Sequence, residues 1–236
     1  MNAAELPLAI VTGVGPGTGS ALVRRFAKGG FRVAMLARDR VRLQGLESEM
    51  ANTKAFACDV ADSSALQATL DQIDRSFGAP KVVVHNAVGG AFGGFTDIDP
   101  EILRVNFDIN VMALLHLARF TAPRMIAAGG GALIVTGNTS ALRGRARFAG
   151  FAPTKAAQRI LAESIARDLG PRGVHVAYLV IDAAIDVPWQ RERLKDVDDD
   201  FFCKPSAIAD EVWHIAHQDR SAWSFLAEVR PYRETW

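Results

Sequence analysis

Residues 6–30 read LPLAIVTGVGPGTGSALVRRFAKGG. An apolar run, Leu8, Ala9, Ile10 and Val11, stops at Thr12 and Gly13, and a loop with glycines at 13, 15, 17 and 19 follows. Beyond it Ala21, Leu22, Val23 and Phe26 recur at helical spacing, with Arg24, Arg25 and Lys28 between them. Strand, glycine loop and helix in that order are what a phosphate-binding turn needs. Gly13 permits the tight turn, Gly17 lets backbone approach a pyrophosphate, and Gly19 lets helix and strand pack closely. The free N–H groups of the helix start then face the phosphates, with Thr12, Gly15 and Thr18 completing the expected cradle. The plainer alternative is an ordinary glycine-rich turn between a strand and a helix.

Bulk properties narrow the class. A chain of 236 residues with 49% hydrophobic and 22% charged residues has the makings of one large α/β domain with a sizeable core. Its net charge of +1 gives no electrostatic reason to expect a nucleic-acid or acidic-membrane partner. Cys58 and Cys203 are far apart and in no CxxC spacing, which argues against a disulfide framework and a zinc site. No apolar run is long enough for a membrane span, and no leader pattern opens the chain, so a cytoplasmic protein is expected.

Outward from the glycine loop, apolar strands alternate with helix-period segments. Strands are expected at residues 31–37, 54–58, 81–85, 132–137 and 174–181, with a last one within 222–229. Helices are expected at 41–50, 62–77, 100–127, 148–169 and 205–217. The alternation predicts a single doubly wound parallel sheet of about seven strands, a Rossmann fold, with helices on both faces. One domain is expected over 1–236, with a charged substrate lid around 186–204. The second strand ends at Ala37 and Arg38, where a carboxylate would hold a ribose 2′-hydroxyl and an arginine suits a 2′-phosphate. That favours NADP(H) over NAD(H), unless the arginines merely begin a solvated helix.

Taken together, these motifs resemble the short-chain dehydrogenase/reductase family over nearly the whole chain. Thr12, Gly13, Gly17 and Gly19 match its TGxxxGxG loop, and Asp59 with Val60 fits its adenine-contacting pair. His85, Asn86, Ala87 and Val88 sit where the family has NNAG. Asn110 opens the helix that carries the family's active-site Asn, and Lys155 ends FAPTK where the family has YxxxK. The resemblance implies an NADP(H)-dependent oxidoreductase acting on a small carbonyl, alcohol or enoyl substrate, as a homodimer or homotetramer. The aromatic tail RPYRETW at 230–236 is read as a source of subunit contacts.

The departures decide how much chemistry carries over. Phe151 stands in the place of the family's tyrosine, and Asn138 in that of its serine, as in a divergent Phe-for-Tyr subgroup. Phe148 fills the other position at which some relatives place a tyrosine. A phenyl ring has no proton to give, and a positioned acid–base group contributes about 10²–10⁴-fold to rate. Asn110, Asn138, Phe151 and Lys155 are therefore the candidate catalytic set. Lys155 is expected to bond the nicotinamide ribose, and a water held by Lys155 and Asn110 is a conceivable proton relay. Asp186 falls where a threonine meets the carboxamide, and Asp182 or Asp186 would titrate as an acid if buried. Thr139 and Ser140 offer hydroxyls nearby. His85 and Tyr178 are read as packing residues, and no metal site is expected. The alternative function is a catalytically silent NADP(H)-binding sensor or scaffold.

Overall fold

Strand β1 (Leu8–Thr12) is buried along its whole length, and its side chains alternate between two cores. Leu8 and Ile10 face one layer of helices, while Ala9 and Val11 face the other. The computed structural model describes residues 6–233; residues 1–5 and 234–236, which include the end of the aromatic tail, lie outside them. β2 (Arg32–Ala37), β3 (Thr53–Ala57), β4 (Val82–His85), β5 (Gly131–Gly137), β6 (Val174–Ile181) and β9 (Leu226–Val229) join β1 in one sheet. Its order is β3-β2-β1-β4-β5-β6-β9, and every pairing is parallel. Because both faces are covered, the inner strands are unbroken apolar runs; all eight residues of β6 are buried.

Helices α1 (Thr18–Lys28), α2 (Arg40–Glu49) and α8 (Pro205–Ala216) cover one face through Leu22, Phe26, Leu43 and Ile208. α3 (Ser63–Phe77), α5 (Ala113–Ala127) and α6 (Ala152–Leu169) cover the other through Leu66, Leu70, Leu117 and Ala162. Asp39, Asp62 and Asp99 accept backbone N–H bonds at the starts of α2, α3 and α4 (Pro100–Phe107). This is the doubly wound seven-stranded architecture expected.

Three boundaries differ from the expectation. The tract 100–127 is not one regular helix, because Asp108–Met112 form a π-turn between α4 and α5. α6 begins at Ala152 rather than at 148, since Phe148, Gly150 and Phe151 form a turn before Pro153 starts the helix. The last strand is confined to Leu226–Val229, because Asp219 closes a turn onto Ser221 just before it. The segment 186–204 has structure of its own: β7 (Ala184–Ile185) pairs with β8 (Phe202–Cys203), and α7 (Pro188–Arg193) lies between them.

Candidate functional site

Sheet order reverses between β1 and β4, where Thr12 lies opposite His85. Beyond that pair the two chains part and open a cleft of about 600 Å³ at the carboxyl ends of the strands. Gly13, Gly15, Gly17, Thr18 and Gly19 form one wall of it. Asn86, Ala87, Val88 and Ile109 form another, and Arg38, Asp59 and Val60 line the far end. Asn86 joins the walls: its amide donates to the Gly13 carbonyl at 2.8 Å, and its oxygen accepts from the Thr136 hydroxyl at 3.0 Å.

The glycine loop is shaped by two close approaches. Gly13 has φ +69, and a Cβ there would lie 2.4 Å from the Ala87 backbone; a Cβ on Gly19 would lie 2.4 Å from the Gly13 carbonyl. A Cβ on Gly17 would meet Val187 Cγ1 at 2.6 Å, so this glycine admits the segment after β6 as well as any ligand. Thr18 opens α1, whose first turn carries no acidic residue. Its hydroxyl is buried without a hydrogen-bond partner among the described residues. An orphaned hydroxyl beside free helix N–H groups fits a phosphate oxygen.

At the far end, the Asp39 carboxylate is already committed. It accepts from the Arg42 N–H at 3.0 Å and pairs with the Arg42 guanidinium at 3.0 Å. Arg38 is exposed on the cleft and has no hydrogen bond or ion pair among the described residues.

The four candidate catalytic residues do not line this cleft; three of them are drawn into the packing behind it. Asn110, in the π-turn, is fully buried. Its side chain accepts from the Gly89 N–H and donates to the Gly89 carbonyl and the Thr154 hydroxyl. Lys155 is 1% exposed and donates to the Thr136 carbonyl at 3.1 Å and to Gln158 Oε1. Gln158 Nε2 in turn donates to the Asn110 carbonyl at 2.7 Å. The side-chain amide of Gln158 thus bridges Asn110 and Lys155, where the relay expectation placed a water. Tyr178, entirely buried as expected, brings its hydroxyl within 3.3 Å of Gln158 Oε1. Burial without a carboxylate pushes the Lys155 amine down to about 7. Burial also lowers His85 to about 3, and its Nδ1 is bonded to the Thr12 hydroxyl at 3.0 Å.

Asn138 is half-buried, and its Oδ1 accepts from the Ser140 N–H at 3.0 Å. Phe151 is buried against Gly90 and Phe92. Asp186 does not meet the condition of burial under which it would titrate as an acid, and it is held by an ion pair instead. Arg191 holds both its oxygens, at 2.7 and 3.0 Å, which lowers its pKa and keeps it a carboxylate. Asp182 is tied by its N–H to the Val229 carbonyl, with Arg230 at 3.9 Å from its carboxylate.

Sequence reading missed Gln158, Trp189 and Gln190. Gln158 lies one turn beyond Lys155, on its face of α6, which is the signal that could have found it. Trp189 and Gln190 reach the cleft from α7, together with Ile185 and Val187 just before it. Among the described residues there is no cluster of His, Cys, Asp or Glu able to hold a metal ion. No helix among them is long and apolar enough to cross a membrane.

A parallel sheet with a glycine loop at its switch point defines an α/β dinucleotide-binding protein. The short chain dehydrogenase family model matches residues 7–196. D-erythrulose reductase of Gallus gallus is 31% identical over 169 residues, 71% of this chain and 67% of that one. The 1-deoxy-11-beta-hydroxypentalenate dehydrogenase of Streptomyces avermitilis is 30% identical over 221 residues, 90% of this chain and 82% of that one. A metagenomic short-chain oxidoreductase solved with NADP superposes with a TM-score of 0.83 at 28% identity, covering 95% of this chain and 97% of that one. The chain belongs to the short-chain dehydrogenase family of oxidoreductases.

Proposed function

We propose that this protein is an NADP(H)-binding oxidoreductase that acts on a small carbonyl, alcohol or enoyl substrate through an altered active site. The observation that carries the cofactor reading is the pair Arg38 and Asp39. The guanidinium faces the cleft unpartnered, while the neighbouring carboxylate is used by α2 and Arg42. A 2′-phosphate would meet Arg38; a bare ribose would find no free carboxylate there. The N–H groups of Gly17, Thr18 and Gly19 and the Thr18 hydroxyl would hold the pyrophosphate, since Pro16 has no N–H and those of Val14 and Gly15 donate to the Leu36 and Gly13 carbonyls. Asp59 and Val60 would flank the adenine, and Asn86, Ala87 and Val88 the nicotinamide end. The segment 186–204 would act as the lid, with Asp186 serving it through Arg191.

A bound nicotinamide supplies or accepts hydride. The protein's own part is to orient the substrate oxygen and move a proton. Asn138 would take the orienting role through its amide nitrogen. Phe151 moves no proton, and Lys155 and Asn110 spend their polar atoms on the protein itself. That same observation favours the second reading, a silent NADP(H) binder, whose cofactor half is identical.

Titration by nicotinamide fluorescence tests the first half. Arg38→Ala is expected to weaken NADPH by roughly 10–100-fold, the value of one charge-assisted contact, and to leave NADH unchanged. Equal losses for both would remove the Arg38 argument. NADPH oxidation by the wild-type protein on a panel of carbonyl and enoyl compounds separates enzyme from silent binder.

A further inference from the structure

The loop between the end of β5 and α6 carries Arg143, Arg145 and Arg147 within five residues, all exposed. Among the described residues none of the three guanidiniums has an ion pair or hydrogen bond. On the facing loop Asp97 accepts from the Thr96 hydroxyl and Asp99 caps α4, and neither is ion-paired with the three arginines. In a chain of net charge +1, this is a concentrated positive patch.

The patch is fixed in place. The Gly93 N–H donates to the Arg147 carbonyl at 2.8 Å, Gly93 bridges Phe148, and the Asn106 amide donates to the Gly150 carbonyl at 2.8 Å. Arg147 is the one non-glycine residue with positive φ among the described residues, at +67. Holding a side-chain-bearing residue there is unfavourable, and the surrounding contacts maintain it. The same contacts set the arginines beside an aromatic wall. Phe92 meets Phe148 at 5.1 Å and Phe151 at 5.5 Å between ring centroids, with Phe92 itself 65% exposed. Val88, which lines the cleft, is 60% exposed, and Leu142 47%.

We infer that the substrate has an apolar chain- or ring-like body bearing one carboxylate, with the body on Phe92 and Phe148, which the buried Phe151 supports from behind, and the carboxylate on Arg143, Arg145 and Arg147. This rests on the oxidoreductase reading, in which Asn138, at the start of this same loop, orients the substrate oxygen. An apolar wall offers little to a polyol, whose hydroxyls would lose water without gaining partners. A guanidinium cluster at the rim discriminates a carboxylate from an alcohol of equal length.

The test uses the full chain and the fluorescent aromatic anion 1-anilinonaphthalene-8-sulfonate as probe, displaced in turn by decanoate, decanol and xylitol. Decanoate is expected to displace it at a concentration at least tenfold below decanol, with xylitol inert. Arg143→Gln combined with Arg147→Gly is expected to bring decanoate within twofold of decanol. Glycine accepts the positive φ, so the loop is kept while the charge is lost. Phe92→Ser is expected to weaken both decyl compounds. Arg38→Ala is expected to leave the decanoate preference intact, which separates this site from the far end of the cleft. Equal displacement by decanoate and decanol in the wild type overturns the inference. So does a preference that survives loss of the arginines, one lost with Arg38, or displacement by xylitol. NADPH titration of the same samples reports on the cofactor reading separately; its failure with the decanoate preference retained would sink that reading alone.

Discussion

Lys155→Met provides a quantitative test of how the interior treats a fully buried amine. Lys155 sits at about 7 in the folded protein against 10.5 when free, because burial disfavours the ammonium. Between those values the unfolded chain binds more protons than the folded one, so stability must rise with pH through that window. A shift of this size costs the folded state about 4 kcal/mol at pH 7 and about 2 at pH 9, each pH unit being worth at most about 1.4 kcal/mol. The variant removes the amine and with it this slope. It also removes the lysine donor from the Thr136 carbonyl and from Gln158 Oε1, which keeps the Tyr178 hydroxyl at 3.3 Å, a cost of about 1–3 kcal/mol at most for each that does not vary with pH. The quantity to measure is therefore the change with pH of the difference between the two proteins. Urea unfolding followed by circular dichroism at pH 7, 8 and 9 gives it. The wild type should gain about 2 kcal/mol relative to Lys155→Met over those two units. Both buried thiols and Tyr178, whose pKa values burial raises, are common to the two proteins and cancel. Parallel pH profiles would show that the ammonium is retained in the core, and the neutral-amine argument would fail.

Two further outcomes follow from the loop and the lid. Gly13→Ala imposes a positive φ on alanine and drives its Cβ into the Ala87 backbone. A loss on the order of 3 kcal/mol in stability is expected by chemical denaturation, with NADPH binding abolished. Arg191→Ala frees Asp186 and Asp199 from their shared guanidinium. All three groups are partly exposed, so the unfolding midpoint should hardly move, while limited proteolysis within residues 186–204 should quicken several-fold.

The fold was legible because a parallel sheet covered on both faces writes its strands as short apolar runs, and because Gly13 and Gly19 answer to steric demands that no other residue meets. The cleft followed from the same logic, since its walls are the turns that leave β1 and β4. The polar packing behind it was not legible. Hydrophobic spacing does not distinguish the π-turn at Asn110 from a continuous α-helix, and that turn is what offers the Asn110 carbonyl to Gln158. Nor does the pattern of residues 186–204 reveal that Val187 packs on Gly17, because a two-residue strand pair leaves no periodic trace. The composition of that stretch suggested a charged lid; the structure gathers Asp186 and Asp199 onto Arg191.

Phe151, Lys155, Gln158 and Tyr178 make sense together. A buried ammonium needs an anion or an anion-like partner to offset its desolvation, and a phenol at 151 would be such a partner. With Phe151 there, the remaining solution is to neutralise the amine and satisfy it with the Thr136 carbonyl and the Gln158 amide. On that reasoning Phe151→Tyr alone restores a hydroxyl beside a lysine that still points at Gln158. Its rate of NADPH-dependent carbonyl reduction should stay within about threefold of wild type. Adding Gln158→Val releases Lys155 and the Asn110 carbonyl together, and the double variant should gain roughly 10²-fold or more, the usual contribution of a positioned acid. Additive, separately small effects in a double-mutant cycle would show that the two positions are not coupled. A full gain from Phe151→Tyr alone would show instead that the Gln158 bridge opens on its own when a phenol is offered.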